Sequence, residues 1–378
     1  MKPRQVVFIM TDTQRKDMLG CYGSDLKTPC LDRMAEQGVR FNRAYTCQPV
    51  CGPARSAIFT GTFPHSNGSW GNSMPLGDNV KTIGQRLRDR DVHTAYIGKW
   101  HLDGGDYFGT GECPDGWDPD YWYDMRNYLE ELPEEERVRS RKSSTAKEGI
   151  SEEFTFGHRC SNRAIDFLSK YNTSDFFLTV SYDEPHGPFL CPEPYASMYK
   201  DDTFPKSPNV YDTLENKPEH QKVWAGDRLG INKDDLQIRR SIFFGCNSFV
   251  DAEIGRVLEA VEQYAPEALV IYTADHGDMM HSHCLNGKGP VMYDEITNIP
   301  FIVKWPGQVP EGTASDVPVS HIDVVPTVLD VFGLETPKII EGKSMRNTLR
   351  TPDRPTHDII FMEFNRFEVD HDGFGGFQ

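Results

Sequence analysis

Four apolar, β-rich runs, far apart in the chain, share one design: each ends in a polar cluster. Gln5 to Met10 (QVVFIM) leads to Thr11-Asp12-Thr13, and His93 to Ile97 (HTAYI) leads to Gly98-Lys99-Trp100-His101. Phe176 to Tyr182 (FFLTVSY) leads to Asp183-Glu184-Pro185-His186, and Leu269 to Thr273 (LVIYT) to Ala274-Asp275-His276-Gly277-Asp278. Helical patterns lie between them, so an α/β fold is expected, with a large, mostly parallel sheet sandwiched by helices. In such sheets ligands bind beyond the carboxyl ends of the strands. All four polar clusters are therefore expected on one edge.

The helices are legible in outline. Thr28-Pro29 opens one that Gly38 closes; Val80, Ile83 and Leu87 mark the apolar stripe of a second, and Ala164, Ile165 and Leu168 that of a third. From Asp235 to Gln263 apolar residues keep helical spacing, with Gly245 and Gly255 as weak points. A strand from Pro300 to Lys304 precedes the turn Trp305-Pro306-Gly307, and Ser320 to Asp323 reads as a capping box. Two segments resist this scheme: Asp106 to Tyr128, rich in Gly, Pro, Asp and aromatics, and the charged Glu130 to Glu148. Both read as surface insertions near the functional edge, the second as a solvated charge run.

Several classes are excluded. No apolar run approaches the roughly 20 residues that span a bilayer, and a formal net charge of −17 opposes nucleic acid or an anionic membrane as partner. Only six mostly apolar residues follow Met1-Lys2-Pro3-Arg4, too few for a signal-peptide core, so export by that route is not expected. Nine cysteines at irregular positions, with no Cys-x-x-Cys pair, suit a reducing compartment. A cytoplasmic location is expected.

One stretch carries a specific chemical signal. In Cys51-Gly52-Pro53-Ala54-Arg55, Pro53 suits the first turn of a helix, and Gly61 suits its end. Cys51 is thus expected at a helix N-terminus, where free N–H groups and the dipole favour an anion. Asp12 and Asp275, each just past a strand, would repel one another unless a cation lay between them. Two carboxylates with His276 as the one imidazole favour a hard divalent ion, Ca²⁺ or Mg²⁺, over zinc. Around them Arg55, Lys99, His101, His186 and Lys288 supply donors and positive charge for the oxygens of a sulfate or phosphate group.

The Cys-x-Pro-x-Arg pattern resembles the maturation signature of the sulfatases, in which that cysteine is oxidised to formylglycine. Gly98-Lys99-Trp100-His101-Leu102, Glu184-Pro185-His186-Gly187-Pro188, Thr273-Ala274-Asp275-His276-Gly277 and Gly287-Lys288-Gly289-Pro290 through Tyr293-Asp294-Glu295 are similar to sulfatase blocks, in the family's order. The resemblance, to a branch of the alkaline-phosphatase superfamily and to bacterial cytoplasmic members in particular, runs from Val6 to about Phe332. It implies a central mixed sheet and metal-assisted hydrolysis of sulfate esters. By position it implies that Cys51 is the formylglycine precursor, read by a formylglycine-generating maturation enzyme. Asp12, Asp275, His276 and the matured residue 51 would then hold the metal, Ca²⁺ by analogy with Mg²⁺ or Mn²⁺ as alternatives. It further implies that Lys99 and Lys288 grip the sulfate, that His186 serves the leaving alcohol, that His101 takes a proton from the diol and that Arg55 orients it. Where many members carry a second Asp, this chain has Thr13, a weaker hydroxyl ligand if it binds at all. The resemblance implies a catalytic domain over 1–335, with 103–150 as an insertion, and reads 336–378 as the start of an incomplete C-terminal subdomain.

For the substrate, Tyr107, Trp117, Tyr121, Trp122 and Tyr123 offer a stacking wall for a sugar ring, unless they pack the segment that carries them. Asp103, Asn365, Arg366 and His371 offer polar contacts to hydroxyls, unless they merely decorate the surface. A small sulfated carbohydrate is the favoured substrate. The alternatives are a phosphate or phosphonate mono- or diesterase on the same scaffold, and a non-catalytic sulfated-sugar-binding protein.

Overall fold

A computed structural model describes residues 3–367. Its strands are β1 (Gln5–Thr11), β2 (Val39–Phe41), β3 (Ala44–Tyr45), β4 (His93–Gly98), β5 (Trp122–Tyr123), β6 (Phe176–Ser181), β7 (Leu269–Ala274), β8 (Asn298–Ile299), β9 (Phe301–Lys304), β10 (Thr313–Ser315) and β11 (Val319–Ser320). Eight of them form one sheet in the order β10-β2-β9-β7-β1-β6-β4-β5, and β11-β3-β8 form a small second sheet. The four expected strands lie side by side and parallel in the middle of the large sheet. β9 runs antiparallel to both β7 and β2, which makes the sheet mixed.

Register aligns the exits of the central strands. Met10 pairs with Ser181, Gly98 with Ser181 and Thr11 with Ala274, so β1, β4, β6 and β7 end nearly flush. Alternation along β1 sends Val7 and Ile9 to one face and Val6, Phe8 and Met10 to the other, and each face is covered. Helices Pro29–Glu36, Phe156–Lys170 and Ser241–Tyr264 pack on the first face; Cys51–Thr60, Ile83–Arg88 and Val324–Val331 pack on the second.

Several local expectations need correction. Val80 lies outside the helix it was expected to join, because Thr82 begins that helix with a capping box to Gln85. The long helix starts at Ser241, not Asp235, since Ile238 pairs instead with Phe204 in a β-bridge. Gly245 and Gly255 are no weak points. A Cβ on them would sit 2.2 Å from the Tyr195 carbonyl oxygen and 2.4 Å from Cys30 Sγ, so both let other segments pack against the helix.

The 106–128 segment is not a surface insertion: it supplies the edge strand β5 and a block of core. Trp117 is fully buried against Phe59, Tyr96 and Trp100, and Trp122 packs with Tyr96 and Trp100. Tyr121 and Tyr123 face the other layer, against Phe167 and Phe156. Four of the five aromatics of the expected sugar wall are therefore core side chains; their apolar rings fill the space between sheet and helix. In the charged run, helix Glu134–Arg139 has no buried residue. Residues 336–367 hold the short helix Arg346–Arg350, whose Leu349, with Met345, joins the second core layer.

Candidate active site

The polar clusters converge where the flush strands end. All ten residues of helix Cys51–Thr60 are buried, and the helix ends at Gly61 in the left-handed conformation. Its first residue faces the exits of β1 and β7. Cys51 Sγ lies 3.3 Å from His276 Nε2, 3.7 Å from Asp12 Oδ1 and 2.6 Å from Lys288 Nζ. Asp12, Cys51, Asp275 and His276 each offer a ligand atom, these atoms all lie within 4.8 Å of one another, and all four residues are buried.

Arg55, one turn on, anchors the helix beneath this cluster. Its guanidinium donates to the Lys99 carbonyl at 2.6 Å and Ser181 Oγ at 2.8 Å, and pairs with Asp12 Oδ2 at 3.1 Å and Asp275 Oδ2 at 3.3 Å. Lys99 Nζ bridges Asp12 Oδ2 at 2.8 Å and Asp183 Oδ1 at 2.9 Å. Gly98 makes this exit possible. Its φ is 122°, and a Cβ there would sit 1.9 Å from the Ser181 carbonyl oxygen.

Thr13, at a φ of 63°, stands behind both carboxylates. Its N–H donates to Asp275 Oδ1 at 3.1 Å and its hydroxyl to Asp12 Oδ1 at 2.7 Å. Burial raises both carboxylates, yet Lys99, with His186 and Lys288, holds Asp12 well below the usual range, whereas burial and the Asp12 charge push Asp275 up to about 7. That split is the mark of like charges confined together. Asp275 Oδ2 is buried, with the Arg55 ion pair at 3.3 Å and no hydrogen bond among the described residues. The His276 Nδ1 proton goes to the Gly277 carbonyl at 2.9 Å, which leaves the Nε2 lone pair facing the cluster. Two buried carboxylates and an imidazole nitrogen, gathered beside residue 51, fit a hard divalent cation.

His186 sits at the edge of this centre, its Nδ1 2.7 Å from the Tyr107 hydroxyl. Burial and Lys99 push its imidazole below the ordinary range. His101, at a φ of 60°, has its ring 5.9 Å from that of Tyr107, and its buried Nδ1 has no hydrogen bond among the described residues. Beside His186 opens a cavity of about 410 Å³ with apolar walls from Phe108, Met125, Tyr128, Phe156 and Leu190.

The more distant polar residues do other work. The Asp103 carboxylate accepts from the N–H groups of Gly105 and Thr110 and so caps its own loop. Asn365 is buried and bonded to Gln48 and Glu363, and the Arg366 carbonyl accepts from Gln48 Nε2. His371 lies outside the described residues. Residue-type reasoning passed over Asp183 and the hydroxyl of Tyr107. Asp183 carries the same signal as Asp12 and Asp275, an acid just past an apolar strand; Tyr107 carries none.

Comparison with known proteins agrees with this geometry. The family model described as Sulfatase matches residues 4–334. The chain is 46% identical to the uncharacterized sulfatase YidJ of Escherichia coli (strain K12), across 100% of this chain and 76% of that protein. Among solved structures, one in complex with its substrate D-glucosamine-2-N,6-O-disulfate superposes with a TM-score of 0.78 at 20% identity, over 98% of this chain and 85% of the other. The phosphonate monoester hydrolase of Agrobacterium radiobacter shares the fold with a TM-score of 0.77 at 22% identity, over 98% and 82%.

Proposed function

Because the chain belongs to the sulfatase family of the alkaline-phosphatase superfamily, and is a sulfuric ester hydrolase, we propose that it cleaves the sulfate ester of a small carbohydrate with a nucleophile matured from Cys51. The observation that carries this is the convergence of Lys288, His276 and Asp12 on one sulfur atom at a buried helix N-terminus. The Cys51 thiol stands in for the oxygens of a hydrated formylglycine. Once formed, that aldehyde hydrate supplies one hydroxyl to attack sulfur and a second whose deprotonation releases sulfate.

Asp12, Asp275, His276 and an oxygen of the matured residue would hold a divalent ion, Ca²⁺ by analogy or else Mg²⁺ or Mn²⁺, which adds positive charge against the sulfate oxygens. Thr13 orients the two carboxylates by donating a hydrogen bond to each. Lys99 and Lys288 neutralise the sulfate oxygens as charge builds. Arg55 orients residue 51 from below, and Pro53 and Arg55 belong to what the maturation enzyme reads. His186, with Lys288, protonates the departing alcohol oxygen; His101 removes a proton from the remaining hydroxyl. The alcohol part of the substrate lies in the cavity beside His186, with a ring face against its apolar walls. A sulfated amino sugar is supported by the fold neighbour's own substrate, and a cytoplasmic setting by the nine free thiols.

The test is co-expression with a formylglycine-generating enzyme, a peptide mass across Cys51 and sulfate release from a panel of monosaccharide sulfates. An aldehyde at residue 51 with release from at least one sugar is expected. A fully matured protein that cleaves no sulfate ester overturns the reading. A second reading, a phosphonate or phosphate ester hydrolase, is favoured by the phosphonate monoester hydrolase fold neighbour. Parallel assays with aryl sulfate, phosphate and phosphonate esters separate the two, and a strong preference for phosphorus would favour the second.

A further inference from the structure

The ring of His186 is held through its Nδ1. That nitrogen lies 2.7 Å from the Tyr107 hydroxyl and 2.8 Å from the Gly187 carbonyl oxygen. A carbonyl oxygen only accepts, so Nδ1 carries hydrogen. The Tyr107 hydroxyl lies 2.5 Å from Asp183 Oδ1, and the same carboxylate oxygen receives Lys99 Nζ at 2.9 Å. A carboxylate paired with an ammonium group is an acceptor. The phenol proton therefore goes to Asp183, and the phenol oxygen accepts from His186. Burial and Asp183 push the Tyr107 hydroxyl well above its ordinary pKa, which keeps that proton in place.

Every hydrogen bond in the chain from His186 through Tyr107 to Asp183 thus has one direction. Packing holds the same arrangement: the Tyr107 and His186 rings stack with centroids 5.1 Å apart, and Lys99 Nζ lies 4.0 Å from the Tyr107 ring centre. Nε2, across the ring from Nδ1, stays free of these bonds for proton exchange with a substrate.

We propose that Tyr107 is a positioning residue for leaving-group protonation: it ties His186 Nδ1–H to the Asp183 carboxylate and so presents Nε2 to the departing alcohol oxygen. The inference rests on the role given to His186 above. As the S–O bond breaks, its electron pair stays on the alcohol oxygen, which takes the Nε2 proton of the imidazolium form. Burial and Lys99 hold the His186 pKa below the ordinary range, so that form is the minor one at neutral pH and gives up its proton readily. The imidazole becomes neutral with Nδ1–H still bonded to Tyr107, and solvent returns a proton to Nε2. A donor so oriented matters only where the leaving group needs a proton.

The test compares matured wild type and Tyr107→Phe on a series of ring-substituted phenyl sulfates, from 4-nitrophenyl to 4-methoxyphenyl. For the variant, kcat on the 4-nitrophenyl ester is expected within about 3-fold of wild type and kcat on the 4-methoxyphenyl ester lowered about 10- to 100-fold, with KM little changed. Equal losses on both esters, no loss on either, or a change confined to KM overturns the proposal. Wild type without activity on any of these or the sugar sulfates instead overturns the function proposed above. Should Tyr107→Phe lose its cooperative thermal transition, ¹⁵N spectra of the wild-type imidazoles, assigned with His186→Gln, carry the test. A protonated His186 Nδ1 supports the arrangement, and a bare one overturns it.

Discussion

Lys288 Nζ stands 2.6 Å from Cys51 Sγ, two residues 237 positions apart, and the same ammonium group lies 2.9 Å from His276 Nε2. Burial and the Asp12 charge both oppose ionisation of the thiol, yet the ammonium groups of Lys288 and Lys99 lead the opposing effects that hold it well below the ordinary range. Other thiols behave oppositely: burial pushes Cys21, Cys30 and Cys47 up to about 12. In unmatured, metal-free protein at neutral pH, Cys51 should therefore be a thiolate. Its ultraviolet absorbance should vanish in Cys51→Ser, and Lys288→Ala should raise the midpoint by about one pH unit or more, some 1.4 kcal/mol per unit. Identical spectra of wild type and Cys51→Ser would contradict the assignment.

The same convergence makes residue 51 and His186 separable in assay. Cys51→Ala should abolish turnover of sulfate esters, and His186→Ala should lower it by about 10²- to 10⁴-fold, both at an unchanged thermal midpoint. Substantial residual turnover in either variant removes the role given to that residue.

A cation held by Asp12, Asp275 and His276 should stabilise the fold by mass action, because the unfolded chain lacks the site. At free Ca²⁺ near 100 times the dissociation constant the gain is about 2.7 kcal/mol. Calorimetry after chelation and re-addition should show the thermal midpoint rise in wild type and no rise in Asp275→Asn. A rise of equal size in that variant would place the ion elsewhere.

What was legible in the sequence followed from local pattern. The strand runs and the acids or bases behind them were visible because a parallel sheet writes each strand as a continuous apolar stretch and puts its ligands at the exits. Asp12, Lys99, Asp275 and His276 meet for that reason, and Cys51 because Pro53 and Gly61 mark both ends of its helix. The segment 106–128 was misread because its Gly, Pro and Asp residues signal a loop, whereas its burial is decided by packing against Phe59 and Tyr96, which local pattern does not encode. Gly245 and Gly255 were misread likewise, since a close approach from a distant chain leaves no local trace.

Glu184 gives the fold a pH dependence of predictable sign. Its carboxyl is buried beside Asp183 and accepts from the Gly157 N–H at 2.9 Å, while its Oε2 has no hydrogen bond among the described residues. Burial and Asp183 push it from 4.5 up to about 8. The folded state thus holds a proton that the unfolded chain gives up. This contribution is fully present below about pH 4.5 and is lost as pH rises through 8, on the order of 5 kcal/mol at most. Urea midpoints between pH 5 and pH 9 should fall for wild type and stay flatter for Glu184→Gln; parallel curves would mean that Glu184 is ionised in the fold.

Trp117 distinguishes a core aromatic from a sugar-stacking one. Its ring is fully buried, with centroids 5.1 Å from Tyr96, 6.0 Å from Trp100 and 6.3 Å from Phe59, the last of these on the helix that begins with Cys51. Truncation leaves a cavity on the sheet face that supports the site, at a cost of about 3–5 kcal/mol. Trp117→Ala should lower the denaturant midpoint accordingly while KM for any sulfate ester it still turns over stays within about 3-fold, since a buried side chain has no surface to offer a sugar. A KM raised about 10-fold or more at wild-type stability would return the ring to the substrate.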